Sequence, residues 1–566
     1  MTLPVTGTDS VARPASAAPR AAAEMSLLVD VGSAWTKASV VARSRGRWRV
    51  AASAAQPTAW GDDELVAALA ARLAAAADPR ITGRLRELIA AAPRIACHTP
   101  RRAGRIGLAA VSHPLSGGAA RRAAESSGWV IAAAVSADDG RSLADRLSVL
   151  QSAEVDAWLL TGGFDGARAD QALEMAGLVA AARGTASRPV IWAGSDALAD
   201  EVATMFGPGI VQVVPNPRPA PDREEPLPLR HLLEGLLQRV VEPGEVRRLA
   251  PIAFRRAVAE LARASARRIL AVDLGARYTS WVTAEDRGGV ESRVFASGGL
   301  TADELVAPGA ASRLARGLPL AIDELAVADA MQNLRARPAS LPQTDEELAI
   351  VQAAARQLLT QHAAEEAPVG DIDLLIGAGR VFAGAPRPAL AAQILLDGVR
   401  PLGITAMAID AAGVLPPLGA LDDVEIAEGM GALRDDALTP IGTAVVCHGG
   451  RSGQVAMRIT VTRSGWPGVG PLEIRAGQLM VLPLGRGQEA DLEIELEPGV
   501  TLGGPRHARR MQATVRGGVV GLLLDGRDVP LVLPRRSDDR RAMLAAWREV
   551  LLREPALPAG GSDGAS

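Results

Sequence analysis

Apolar and polar positions along the chain change rhythm three times. "SLLVDVG" is a short apolar run ending in Asp-Val-Gly, the pattern of a buried strand entering a turn. "KASVVARS" and "RWRVAASAA" predict two further strands. "DDELVAALAARLAAAADP" then sets Leu65, Val66, Leu69 and Leu73 on one helical face, with Asp62 as N-cap and Pro79 beyond the end. From about Arg105 strands and helices alternate. "IGLAAVS", "WVIAAAV", "DAWLLTGG", "PVIWAG" and "GIVQVVP" are apolar on both faces and spaced by crossovers, which predicts a parallel sheet of about five strands. Proline-rich "PNPRPAPDREEPLP" closes this doubly wound stretch.

A second strand-and-turn run, "RILAVDLGARYTSWVTA", starts near Arg268. Helices around Ala326–Leu334 and Glu346–His362 follow, then the glycine-bearing "LLIGAGRVFAGAP". After about Pro440 the period becomes two. Val455, Met457, Ile459 and Val461 alternate, as do Leu492, Ile494 and Leu496, so a β-rich module is expected there. An amphipathic helix near Arg540–Leu552 ends the ordered chain.

Length and charge narrow the classes. At 566 residues the chain is too long for one core. A net charge of -3, with positive charge scattered singly, gives no footprint for nucleic acid or an acidic membrane surface. Two cysteines make neither a disulfide framework nor a thiolate cage. Adjacent residues of Cys97-His98 and Cys447-His448 point to opposite strand faces, which argues for packing over metal binding. No apolar stretch nears the roughly 18 residues that span a bilayer. The N-terminus lacks a signal-peptide core, so a disordered leader and a cytoplasmic location are expected.

The candidate chemistry lies in two glycine turns. "LLVDVGSAWTKASVV" and "ILAVDLGARYTSWVT" share an apolar strand, Asp-x-Gly, and a Thr four residues after the Gly. Such a turn lets backbone N–H groups approach an anion, and a strand-end aspartate can hold the hydration shell of Mg²⁺. Lys37 is the one lysine among 61 basic residues. A compact ammonium suits a phosphate in a narrow turn where a planar guanidinium does not fit. A chance survivor of compositional drift is the plain alternative.

Two phosphate turns followed by a glycine-bearing strand end resemble the actin/Hsp70/sugar-kinase ATPase superfamily. More narrowly, "DVGSAWTKA", "VDAWLLTGGFDG", "RPVIWAG", "LAVADAMQNLRARPASLP", "RPLGITAMAIDAAGVLPPLGAL" and "VRGGVVGLLLDGRDVPLVLP" resemble the MutL-type glutamate mutase accessory proteins, which share only a name with mismatch-repair MutL. The resemblance implies an α/β, two-lobed actin-like (ribonuclease H-like) fold with an inserted doubly wound module and a C-terminal β-rich domain. The expected division is 1–24 leader, 25–105 first lobe, 106–214 inserted module, 215–265 linker and helices, 266–440 second lobe, 441–553 β-rich domain and 554–566 tail. By the same resemblance Asp30, Gly32, Ser33, Thr36 and Lys37 form the first phosphate motif. Asp273, Gly275 and Thr279 form the second, and Gly377 and Gly379 the adenosine turn, with ATP as ligand and Mg²⁺ held through water by Asp30 and Asp273. The implied role is a nucleotide-binding, chaperone-like partner of adenosylcobalamin-dependent mutase subunits, with weak ATPase activity an open question. No cobalamin-binding signature is present, so that cofactor is expected on the partner. A small-molecule kinase and a non-catalytic scaffold stay open as alternatives.

The second turn departs from the family's usual Asp-Val-Gly-Gly-Ala-Thr-Thr-Asp. Ala276 replaces a glycine, where a positive φ would strain it, and Ser280 stands where a carboxylate is expected, so binding is favoured over efficient hydrolysis. Tyr278, the one tyrosine, is expected to pack, with stacking in or sealing of the cleft as the alternative. Gly162, Gly163 and Asp165, at the carboxyl end of a parallel strand, are candidates for a ligand or partner crevice, with a plain strand-to-helix turn as the alternative.

Overall fold

The structure is a computed structural model that describes residues 25–554 apart from 45–46, 77–79, 81, 185–186, 242–247, 367–371, 464–468 and 504–508. The leader, Pro79, most of the basic stretch Gly504–Arg510 and the tail from 555 lie outside the described residues.

β1 (Met25–Val31), β2 (Trp35–Ser44) and β3 (Arg47–Pro57) form an antiparallel meander, and β4 (Arg94–His98) returns parallel to β1. The helix Asp62–Ala76 covers this sheet with Leu65, Val66 and Leu69 buried. Asp62 is its first helical residue, not its cap, and accepts from Arg94 at 2.8 Å.

The chain then leaves for a separate sheet of β5 (Gly104–Ala110), β6 (Trp129–Ser136), β7 (Ala157–Thr161), β8 (Val190–Trp192) and β9 (Val211–Val213). All its pairs are parallel, in the order β6-β5-β7-β8-β9. The doubly wound module expected from the apolar runs is therefore present. β10 (Arg248–Leu249) brings the chain back beside β4, so the first sheet reads β3-β2-β1-β4-β10.

The helix Ala250–Ser265 leads into a second sheet. β11 (Ile269–Leu274), β12 (Thr279–Ala284), β13 (Val290–Phe295), β14 (Leu374–Ala378) and β15 (Gly403–Ile409) repeat the first sheet's order and directions. Two lobes built on one topology are the actin-like arrangement expected from the resemblance.

β16 (Thr439–Val446) joins this second sheet next to β15. β17 (His448–Gly449), β18 (Val455–Thr462), β19 (Val469–Arg475), β20 (Leu479–Leu482), β21 (Glu489–Leu496), β22 (Val500–Thr501), β23 (Arg510–Arg516) and β24 (Gly521–Asp525) complete the strands. β24 and β20 extend the second sheet to eight strands, and β19-β18-β21-β23 make a separate antiparallel sheet. In β21 the burial alternates strictly, with Ala490, Leu492, Ile494 and Leu496 inward. The C-terminal strands thus divide between the second lobe and a sheet of their own.

A buried ion network fastens that junction. Asp525 accepts from Arg527 and, at 2.7 Å, from Arg400, while Arg527 also meets Asp397 at 2.8 Å and lies over the Trp547 ring. All four charged residues are nearly water-free, so removing one partner would cost about 3–5 kcal/mol. No described helix is long and apolar enough to cross a membrane.

Candidate functional site

Each lobe begins with a hairpin closed in the same way. The Gly32 N–H donates to the Trp35 carbonyl at 3.0 Å, and the Gly275 N–H donates to the Tyr278 carbonyl at 2.9 Å. A methyl group on Gly32 would stand 2.5 Å from the Trp35 oxygen, which explains the glycine there. The N–H groups of Ser33 and Ala34 in the first turn, and of Ala276 in the second, donate to no described residue. The two hairpins face one cavity of about 50 Å³, lined by Asp30, Ser33, Ala34, Lys37, Asp273 and Gly275 among others.

Antiparallel register sets the charges. Lys37 lies directly opposite Asp30 and bonds its Oδ2 at 2.5 Å. The two side chains are only 13% and 3% exposed, so water screens the pair little. Opposite Asp273 stands Ser280. A third carboxylate, Asp410, follows β15 and was not singled out from the sequence. Its oxygens accept from the N–H groups of Val414 at 2.9 Å and Leu415 at 3.0 Å, and its field reaches Lys37.

One ammonium therefore serves three carboxylates. Burial opposes the charge on Lys37, but Asp30, Asp273 and Asp410 together raise its pKa above the ordinary lysine value. Burial pushes Asp273 up to about 6, with Lys37 opposing and Asp30 adding. Burial likewise pushes Asp410 up to about 6 against its two backbone N–H bonds. The Cys97 thiol lies 3.8 Å from Asp30, and burial, then the carboxylate, hold its pKa well up. With every carboxylate ionised the cleft carries excess negative charge, a setting that suits a hydrated cation. Among the described residues no group of three or more His, Cys, Asp or Glu is arranged to grip a metal directly.

Beside the cleft is a second, apolar pocket of about 90 Å³, with Leu300, Leu334, Leu341, Val351 and Val381 in its wall. Trp35, Gly275, Ala276 and Arg380 line both spaces. The Arg380 guanidinium lies 4.7 Å from the Trp35 ring centre, joining first lobe to second at the mouth. Deeper in, the Ser39 hydroxyl donates to the Ala412 carbonyl at 2.7 Å, a second inter-lobe bond.

The expected site residues divide accordingly. Asp30, Gly32, Ser33, Lys37, Asp273, Gly275 and Gly379 come together around the cleft. Gly379, at φ +100°, abuts the second hairpin, since a methyl group on it would stand 2.3 Å from the Leu274 carbonyl. Thr36 and Thr279 point elsewhere. Thr36 donates to Thr58, whose hydroxyl holds the Gly32 carbonyl, and Thr279 donates to the Gly298 carbonyl at 2.7 Å. Both threonines brace their hairpins from behind. Gly377 packs against Phe382 and Leu395 within the core. Gly162, Gly163 and Asp165 sit in the inserted module, outside the cleft lining, where Asn216 bonds the Gly163 carbonyl and Asp165.

Ala276 does not carry the strain its substitution implied, because the positive-φ non-glycines among the described residues are Ala266 and Arg400. Tyr278 packs against Val294 and Ala296, with Ala103 and Val130 alongside, and it also lines the cleft.

The profile of a family described as MutL protein matches residues 26–433. No curated protein matches the chain. Among solved structures, nucleotide-free acetone carboxylase is similar at 12% identity, covering 80% of this chain and 81% of that one with a TM-score of 0.30. Component A of (R)-2-hydroxyglutaryl-CoA dehydratase from Acidaminococcus fermentans shares 9% identity, covering 73% and 100%, at a TM-score of 0.26. The ethanolamine utilization protein EutJ from Carboxydothermus hydrogenoformans shares 11%, covering 70% and 88%, at 0.24.

Proposed function

The chain belongs to the MutL family of the glutamate mutase type, not to the mismatch-repair proteins of that name, and from this premise we propose that it is a nucleotide-binding accessory protein of a cobalamin-dependent mutase. The observation that carries the reading is one cavity shared by two hairpins from different lobes, with Lys37 among Asp30, Asp273 and Asp410. Lys37 and the N–H groups of Ser33, Ala34 and Ala276 would take the phosphates. Asp30 and Asp273 would hold a hydrated Mg²⁺, which keeps most of its waters and takes one or two carboxylates. The apolar pocket beyond Trp35 and Arg380 would take the base.

Neither space is large enough for a nucleotide as it stands, since ligand sites run to roughly 300–1,000 Å³. The described state is closed, so entry requires the lobes to part and binding would shift the balance between open and closed forms. That shift is what a mutase subunit would sense. Ser280 stands across from Asp273 where a second carboxylate would add to the metal site, which favours binding over rapid turnover.

Calorimetric titration of the full chain with Mg-ATP tests the nucleotide. Saturable heat that disappears in Lys37→Ala is expected; no heat from the unmodified chain at millimolar ATP overturns the reading. Nucleotide-dependent copurification with mutase subunits is expected of the partner role, and its failure in both nucleotide states removes that part.

A further inference from the structure

A cavity of about 530 Å³ opens where the second lobe meets the C-terminal strands, away from the residues of the hairpin cleft. Its floor is apolar. Leu261 from the helix Ala250–Ser265, Leu374 at the start of β14, Ala406 and Ala408 on β15, and Leu438 continue the core beneath them. Its rim is basic. Arg267 follows the helix, Arg486 lies between β20 and β21, and Arg516 ends β23. Arg516 is answered by Glu489 at 2.8 Å. Arg267 and Arg486 meet no acidic side chain among the described residues.

We propose that this cavity is a binding site for a small amphipathic anion, its apolar body on Leu261, Leu374, Ala406, Ala408 and Leu438 and its carboxylate or phosphate on Arg267 and Arg486. The volume falls in the usual range for small-molecule sites, which combine an apolar lining with a few convergent polar groups. Guanidinium groups match carboxylate and phosphate through paired N–H donors, and two uncompensated ones beside a low-dielectric floor repel cations and draw anions. A neutral apolar molecule would use the floor alone and gain nothing from the rim.

The site is independent of the nucleotide reading, because none of its lining residues lines the cleft. The test uses the full chain with decanoate, decyl phosphate, decanol and decyltrimethylammonium, each followed by calorimetry. Decanoate and decyl phosphate should bind and decyltrimethylammonium should not; the stronger of the two anions identifies the head group. Arg267→Ala and Arg486→Ala should each weaken anion binding roughly tenfold, and Arg486→Glu should weaken it further. Ala406→Phe should fill the floor and weaken decanol and the anions together, while Arg510→Ala on the separate sheet should change nothing. Far-ultraviolet circular dichroism checks that each variant is folded. Binding of neither anion by the unmodified chain, equal binding of the cation, or anion binding unchanged in the Arg267→Ala/Arg486→Ala double variant would overturn the proposal. Mg-ATP titrations on the same samples are read separately, so either result can fail while the other stands.

Discussion

The first hairpin and the second share a backbone and differ in charge. Both close with a glycine N–H on the carbonyl three residues on, and both are braced by a threonine on the far face. The first carries its own cation, because Lys37 stands across from Asp30. The second offers Ser280 across from Asp273 and depends on Lys37 reaching over from the other lobe. The second is also more heavily supported. The N–H groups of Gly299, Leu300 and Thr301 donate to the carbonyls of Arg277, Gly275 and Ala276. Duplicated topology fixes where a carboxylate sits; the residue opposite decides whether that carboxylate is satisfied at home or must be neutralised from elsewhere. A single ammonium shared between lobes is thereby an electrostatic link between them.

The largest effect is expected on removing that link. Lys37→Ala leaves three buried carboxylates without a counter-charge and should lower unfolding stability at pH 7.5 by about 3–5 kcal/mol in a urea titration. The loss should shrink at pH 5, where Asp273 and Asp410 take up protons. A loss independent of pH would break the comparison. Lys37→Arg should be milder yet still unfavourable, since a planar guanidinium is bulkier than the buried ammonium that Asp30 holds and cannot reproduce its point contact.

Next in size is Gly379→Ala. At φ +100° an alanine is strained by about 1–3 kcal/mol, and its methyl would collide with the Leu274 carbonyl, so the second hairpin should lose its seat while the first keeps its own. Amide hydrogen exchange should show faster exchange in 274–280 and little change in 31–37.

Asp273→Asn sharpens the comparison through pH. The folded-state pKa near 6 lies above the ordinary 3.8, so the folded form holds the proton more tightly. That contribution is fully present below about pH 4 and is lost as pH rises through 6. The asparagine variant should therefore be more stable than the parent at pH 7.5, by about 3 kcal/mol, and converge with it near pH 4. Mg²⁺ should raise the parent's Tm more at pH 7.5 than at pH 5, and raise the variant's less. A parent stability that climbs between pH 4 and 6 would contradict the raised pKa.

The smallest effect separates bracing from binding. Thr36→Val and Thr279→Val should each cost about 1 kcal/mol in stability and leave Mg-ATP affinity unchanged. A tenfold loss of affinity from either would return that threonine to the ligand.

Much of this was legible in the chain. The repeated apolar strand with Asp-x-Gly marked both hairpins, and the five apolar runs after Arg105 marked the inserted sheet. Side-chain alternation also held the answer on the threonines. Lys37 faces the cleft, so its strand neighbour Thr36 must face away, and counting residues from the glycine obscured this. Asp410 gave no such signal. It is a lone aspartate in "AIDAAG", brought to Lys37 by the parallel placement of β15 beside β14, and only the assembled sheet reveals it. The division of the C-terminal strands was equally hidden, because period-two alternation marks a strand without naming the sheet it joins.

The lobes are joined by the Ser39 hydroxyl on the Ala412 carbonyl, by Asp436, which accepts from the Val50 N–H and pairs with Arg49 at 2.6 Å, and by the Arg380–Trp35 stack. Among these the stack alone involves no hydrogen bond and rests on two side chains that can swing. Parting of the lobes should therefore begin where Trp35 meets Arg380. An indole that loses its cationic neighbour also changes its fluorescence, so Trp35 would signal the first moment of that parting.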